Sequence, residues 1–385
     1  MRSINWIVAI KHEKGKGVSK LKFKEKEQIT ISLTGSCNLQ CIYCYMPKVH
    51  TEAVQDLIDF RFCMRGIKDF FQNSSSRCIR FFAGGEPTLA FPLMQKITQA
   101  ARGLAGDALR LELETNGFFS ENIADWISEN IHYLWISCDG MPEVQNQQRP
   151  CSQDPEASQV IYRHIRRFAQ QQQLQFGVRA TLQDVSAEAQ INMIDFFHSL
   201  GVTNVSASPV FSSYANDRAH TANVLGFAEG FVPAYWHAKA LNMQYLSLFM
   251  VNFDETTDMF CQASIPTPRL TRDGYVSCCD WAAVGLGHLP EWMESCIFGR
   301  YDSEQDVIHY DMDKIKDIQQ RNVTYLGQNA CKGCMALYHC AGGCIGKVMA
   351  QSRDMFQIFE PWCEAVRYLY EHLRLHKGDI TVLHP

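Results

Sequence analysis

The sequence predicts an α/β protein built on a parallel sheet, open or curled into a partial barrel, with a second, cysteine-rich region behind it. Two observations carry that prediction. Strand-like and amphipathic segments take turns from residue 28 to about residue 207, and alternation at this spacing means βα units with parallel strands. Cysteines then crowd the last third of the chain, where nine of the sixteen lie between Cys261 and Cys363.

Residues 1–27 are Lys-rich from Lys11 to Lys26 and read as a solvated hairpin or arm; the functional alternative, docking of an acidic peptide, is given no weight. Residues 28–34 alternate and carry β-branched side chains, so the sheet opens there. Further strands are expected at 78–82, 110–114, 133–137, 175–179 and 202–207, with helices near 53–73, 91–104, 121–130, 156–172 and 188–200. Past about residue 245 the pattern turns to short segments, turn residues and cysteines, and helical character returns near Ala365–Leu375. The boundaries that follow are an arm at 1–27, a sheet domain at 28–250, a cysteine-rich domain at 251–364, and a C-terminal helix and tail at 365–385.

Composition narrows the function classes. The 385 residues are 46% hydrophobic, enough for a sizeable core, and the formal charge of -5 leaves no basic footprint for nucleic acid. No apolar run reaches about 18 residues, and the N-terminus shows no small-residue cleavage site, so a cytoplasmic protein without a membrane span is expected. Without an export signal, sixteen cysteines argue for metal rather than for a disulfide framework.

Cys37, Cys41 and Cys44 lie within eight residues directly after a strand. Three thiolates in so short a loop suit a cubane iron-sulfur cluster whose fourth iron has no protein ligand. Structural zinc is the alternative, but it takes four protein ligands, and His50 is the one further donor close by. This Cys-x3-Cys-x2-Cys spacing, with Tyr43 before the third cysteine, resembles the loop of the radical S-adenosylmethionine superfamily. The resemblance implies a partial (β/α)6 barrel and a [4Fe-4S] cluster whose open iron is chelated by the amino and carboxylate groups of S-adenosylmethionine.

Three later motifs extend the resemblance, each after a predicted strand, where ligands of such sheets bind. Gly84-Gly85-Glu86-Pro87 is similar to the family's Gly-Gly-Glu-Pro element, which implies that Gly84, Gly85 and Glu86 hold the methionine amino end. Glu114-Thr115-Asn116-Gly117 and Ser137-Cys138-Asp139-Gly140 resemble segments of the peptide- and protein-modifying branch, placing Thr115 and Asn116 at the cofactor. Ser137 and Arg149 match its ribose and carboxylate contacts, although Gln145 and Asn146 stand where that branch often has a His-Asp pair. Read alone, the two segments are turns and Arg149 is an ordinary surface arginine.

In the second region, Cys261, Gly274, Cys279, Cys331, Cys334, Cys340, Cys344 and Cys363 follow spacings that packing does not explain, with a zinc ribbon as the alternative. Their order resembles the SPASM extension, which carries two auxiliary [4Fe-4S] clusters. The resemblance assigns Cys331, Cys334, Cys340 and Cys363 to the outer cluster and Cys261, Cys279 and Cys344 to the inner one. A fourth inner ligand is Cys278, Cys296, or none, leaving an open iron. Asp280 follows Cys279, and in sulfatase-maturing relatives an acid in this place serves as base; otherwise it is a surface or capping residue. Cys63, Cys78, Cys138 and Cys151 match no motif, and most of them read as small buried residues.

The function so implied is that of a radical enzyme with three [4Fe-4S] clusters and S-adenosyl-L-methionine, reduced by a flavodoxin or ferredoxin. A maturase that installs a carbon-carbon (cyclophane) or thioether crosslink in a ribosomal precursor peptide is favoured. Residues 1–27 are too few for a winged-helix leader-binding domain, so an edge strand, a cleft or a separate protein would capture the peptide. An anaerobic sulfatase maturase making formylglycine is the rival within the class. A non-catalytic electron-transfer or zinc-binding protein is the rival outside it, and it has no need of Gly84, Gly85 and Glu86 beyond a strand.

Overall fold

A computed structural model describes residues 27–46, 57–82, 84–211, 222–247, 256–283 and 289–374; nearly all of the expected N-terminal arm, His50 and the C-terminal tail lie outside them. The chain alternates β1 (Ile29–Ile31), α1 (Phe60–Asn73), β2 (Cys78–Phe81), α2 (Phe91–Ala105), β3 (Arg110–Thr115), α3 (Glu121–Asn130), β4 (Tyr133–Ser137), α4 (Pro142–Gln148), α5 (Ala157–Ala169), β5 (Gln175–Leu182), α6 (Ala187–Ser199), β6 (Asn204–Pro209), α7 (Val224–Ala240) and β7 (Gln244–Leu246). Neighbouring strands from β1 to β7 pair parallel in chain order. This is the expected α/β architecture: six βα units, closed by a seventh short strand.

Helix α7 and strand β7 are not expected from periodicity. Apolar residues run round much of α7, and Pro233 sits inside it, so no single stripe announces the helix. Strand β5 also runs on to Leu182, beyond its expected end.

The cysteine-rich region grows out of the same sheet. It contains β8 (Arg269–Leu270), β9 (Tyr275–Ser277), β10 (Ile297–Asp302), β11 (Val307–Tyr310), α8 (Met312–Gln320), α9 (Val323–Gln328), α10 (Leu337–Cys340), α11 (Ile345–Ser352) and α12 (Glu360–Arg374). β8 pairs parallel with β1, and β9 to β11 continue antiparallel, so one 11-stranded sheet runs from β11 to β7. Cys279 and Asp280, just after β9, are thereby carried to the β1–β2 side of the barrel. Among the described residues no helix is long and apolar enough to cross a membrane.

Period-2 alternation separates two faces. Ile79, Phe81, Leu111, Leu113, Leu134 and Ile136 are fully buried in the hydrophobic core, each such side chain stabilising by about 1.5–3 kcal/mol. Arg80, Glu112 and Glu114 alternate onto the other face, where Arg80 pairs with both carboxylates and Arg179 of β5 pairs with Glu114.

Candidate active site at the strand ends

The loop after β1 is clamped by the turns that follow its neighbours. Gly85 N–H donates to Thr34 O at 2.7 Å and Glu86 N–H to Ser36 O at 2.7 Å. A β-carbon on Gly85 would lie 1.8 Å from that Ser36 oxygen, and Gly84 has φ +91. The glycine pair is therefore required for close approach to the backbone just ahead of Cys37.

Glu86 fastens the second turn to the third. Its buried carboxylate accepts from Thr88 N–H at 3.0 Å, Thr88 Oγ1 at 2.7 Å, Thr115 Oγ1 at 2.6 Å and Asn116 N–H at 2.7 Å. Burial raises it above the ordinary carboxylate range, against the pull of these bonds. Asn116 in turn reaches Asn38 Oδ1 at 2.7 Å and the Cys37 sulfur at 3.8 Å. Glu86→Gln keeps the shape but aims N–H groups at donors, so a loss of about 2–4 kcal/mol in urea unfolding is expected, with Thr115→Val costing less.

Asp139, buried after β4, is the hub on the other side. It accepts from Thr181 N–H at 2.9 Å, Gln148 Nε2 at 3.0 Å and the Tyr43 hydroxyl. Arg149 lies 3.0 Å from its carboxylate, over the Tyr43 ring at 5.3 Å, and 3.8 Å from the Cys41 sulfur. The loop is also strapped by Gln40 N–H to Pro150 O and Ile42 N–H to Gln148 O. Arg149 thus packs against the cysteine loop, its guanidinium held between Asp139, the Tyr43 ring and Cys41. Ser137 ends β4 two residues before the hub.

The three thiols suit a cationic cluster. Desolvation by the surrounding loop pushes the Cys37 thiol up to about 12 although the residue is exposed, with Glu86, Cys41 and Cys44 adding to it; desolvation pushes Cys41 up to about 11, opposed by Arg149 and reinforced by Cys44. Side chains that disfavour each other's anions in this way are relieved by bound iron. Asn116 and Arg149 place N–H groups at two of the sulfurs, as ligating thiolates need.

The later cysteines fall into two neighbouring sets. Burial pushes Cys340 up to about 12, with Cys363, Cys331 and Cys334 contributing. Burial and then nearby Cys344 and Cys278 raise Cys279. Arg321, fully buried between the sets, donates to Gly342 O at 2.6 Å and to Met355 O, and its surroundings include Cys261, Cys331, Cys344 and Cys340. Cys278 and Cys296 are both buried; Cys278 N–H donates to Cys296 O at 2.9 Å, and the Cys296 thiol points to the Met349 sulfur at 3.7 Å. Among the described residues no three Cys, His, Asp or Glu converge as tightly as a single metal ion requires.

Asp280 stands in the charged barrel interior. Arg269 Nε donates to it at 2.7 Å and Arg80 Nη1 at 3.3 Å. Burial alone would raise this carboxyl, but Arg269 and Arg80 hold it below its ordinary range. Asp139, Gln148, Arg321 and the Arg80–Glu114–Arg179 cluster were not legible as site residues. The alternating acids of Arg110–Thr115 are the one sequence signal for that cluster.

Residues 31–170 match the model of the Radical SAM superfamily. Over 126 residues, 30% of the chain, it is 29% identical to the cysteine-type anaerobic sulfatase-maturating enzyme of Clostridium perfringens. The chain spans between 33% and 42% of the length of the first curated relatives it matches. Of the solved structures, native anSMEcpe with bound AdoMet superposes with TM-score 0.69 at 15% identity, covering 92% of this chain and 98% of that one. Streptococcus suis SuiB bound to S-adenosylmethionine superposes with TM-score 0.61 at 14% identity, covering 88% and 77%. At such identities these likenesses establish the fold. Both neighbours have also been solved with peptides: anSMEcpe with a Kp18Cys peptide, SuiB with precursor peptide SuiA.

Proposed function

We propose that the chain is a radical SAM maturase that oxidises an amino-acid side chain within a peptide or protein, by preference installing a carbon-carbon or thioether crosslink in a ribosomal precursor peptide. The observation that carries this reading is the clamping of the Cys37–Cys44 loop by Gly85, Glu86, Asn116 and Arg149, with Cys279 and Asp280 brought to the same barrel. Peptides bound to both structural neighbours support the substrate class.

Cys37, Cys41 and Cys44 would hold the first [4Fe-4S] cluster, Cys331, Cys334, Cys340 and Cys363 an outer one, and Cys261, Cys279 and Cys344 an inner one. Such clusters, reduced by flavodoxin or ferredoxin, supply the electron that cleaves S-adenosylmethionine to the 5'-deoxyadenosyl radical, and take back the electron released as the substrate is oxidised. The residues' own work is to place and exclude. Gly84 and Gly85 leave backbone room beside the loop, and the Glu86 oxygen facing Asn116 has one donor there, so it can accept a further ammonium hydrogen. Tyr43, Thr115, Asn116, Ser137 and Arg149 frame the remaining polar contacts of S-adenosylmethionine. Asp280 is ionised and can take the substrate proton once a bound substrate loosens Arg80 or Arg269.

A second reading, an anaerobic sulfatase maturase, is favoured by Asp280 and by the curated Clostridium relative. Both readings share one test. Anaerobic reconstitution should give about twelve irons per chain, and dithionite with S-adenosylmethionine should release 5'-deoxyadenosine. Joint replacement of Cys37, Cys41 and Cys44 by alanine should end that release and remove about four irons. A fully loaded protein that forms no 5'-deoxyadenosine would exclude the radical chemistry. Mass change on a co-expressed precursor peptide, against formylglycine on a sulfatase peptide, separates the two substrates.

A further inference from the structure

The two cysteine regions meet through a pair of rings. Tyr45 directly follows Cys44, and Trp281 follows Cys279 and Asp280. Their ring centroids lie 6.0 Å apart with planes 9° from parallel, an offset stack. The indole also rests on α11: a β-carbon on Gly346 would lie 3.2 Å from Trp281 Cγ and 3.2 Å from the Cys279 sulfur. Ring and sulfur therefore sit side by side on one bare stretch of backbone, two residues beyond Cys344. A side chain at Gly346 would drive between them. No other stacked pair among the described residues joins a residue within two positions of Cys37, Cys41 or Cys44 to one within two positions of Cys261, Cys279 or Cys344.

We propose that Tyr45 and Trp281 form an electron relay between the site of Cys261, Cys279 and Cys344 and the site of Cys37, Cys41 and Cys44. This rests on the cluster assignments of the proposed function. One electron leaves the inner site, which is oxidised by one, and reaches the first site, which is reduced by one; no atom changes place. Tunnelling falls off steeply with distance, and two stacked π faces couple the two sites more strongly than an open gap would; neither ring is itself oxidised or reduced, because iron-sulfur potentials lie far from those of aromatic side chains. The electron taken from a substrate is thereby returned to the site that spends it, and outside reductant is needed chiefly for priming.

The holoenzyme tests this without its peptide. Protein reduced with dithionite, freed of it and mixed with S-adenosylmethionine should form about one 5'-deoxyadenosine per chain in a first phase, the electron coming from the first site and the 5' hydrogen being abstracted from buffer or protein C–H bonds in place of the substrate. Further product should follow in a second phase, paced by loss of the reduced auxiliary signals in electron paramagnetic resonance. Trp281→Leu should slow the second phase and the signal loss by at least about tenfold, and Trp281→Phe, which keeps a π face, should restore both. Iron content is counted in each variant, and Tyr45→Leu is read the same way if the Trp281→Leu protein fails to load. A second phase at wild-type rate in a loaded leucine variant would overturn the relay, as would a wild type that stops after the first phase. No first phase at all would instead sink the radical-enzyme reading on which the relay rests.

Discussion

Gly85→Ala is expected to abolish S-adenosylmethionine cleavage and to cost about 3–5 kcal/mol of stability, a loss reserved for a few mechanisms of which backbone strain is one. The added carbon would lie 1.8 Å from Ser36 O, 2.5 Å from Ser36 C and 2.7 Å from Gly35 C. All three are backbone atoms, so no rotamer change relieves the overlap. The turn must back away, and the paired bonds from Gly85 and Glu86 N–H to Thr34 O and Ser36 O break with it. Urea unfolding reads the stability, and 5'-deoxyadenosine formation by reconstituted protein reads the site. Gly103 of α2 is the control: nothing lies within 4 Å of a β-carbon there, so Gly103→Ala should stabilise by up to about 1 kcal/mol. Equal effects at the two positions would mean that the clamp has been misread.

Asp139→Ala should be nearly as damaging, by about 3–5 kcal/mol, because it strands the buried Arg149 guanidinium without its counterion. It also removes the acceptor of Tyr43, Gln148 and Thr181 at once. With Arg149 released, the strap from Gln40 and Ile42 to Pro150 and Gln148 loosens, and the first loop should lose about four irons while the later sets stay loaded. Asp139→Asn keeps an oxygen for Thr181 N–H and should lose less. Iron analysis beside denaturant melts separates loss of the loop's cluster from loss of the fold.

The sheet was legible because its strands are short β-branched or apolar runs between turn residues, and the glycine turn because Gly84-Gly85-Glu86-Pro87, read together with the cysteine loop, resembles a family element; alone it would be only a turn. What escaped was pairing over long separations. Tyr43 meets Asp139 across 96 positions and Arg80 meets Asp280 across 200, and no spacing announces which carboxylate will turn inward. Asp139 reads in sequence as the third residue of a turn, and Arg321 belongs to no motif. Each becomes a hub once burial removes water as an alternative partner. Helix α7 failed for the opposite reason, having too many apolar residues to show a stripe.

The pairing of β8 with β1 also bears on solubility. A parallel sheet that does not close leaves a row of free N–H and C=O groups along its first strand, a template on which other chains can pair. Here Thr30 N–H and Ser32 N–H are taken by Pro268 O and Leu270 O. A chain cut near residue 250 would bare that edge along Ile29 and Ile31, both fully buried in the whole chain. Such a fragment should precipitate on expression even with its cysteine loop intact.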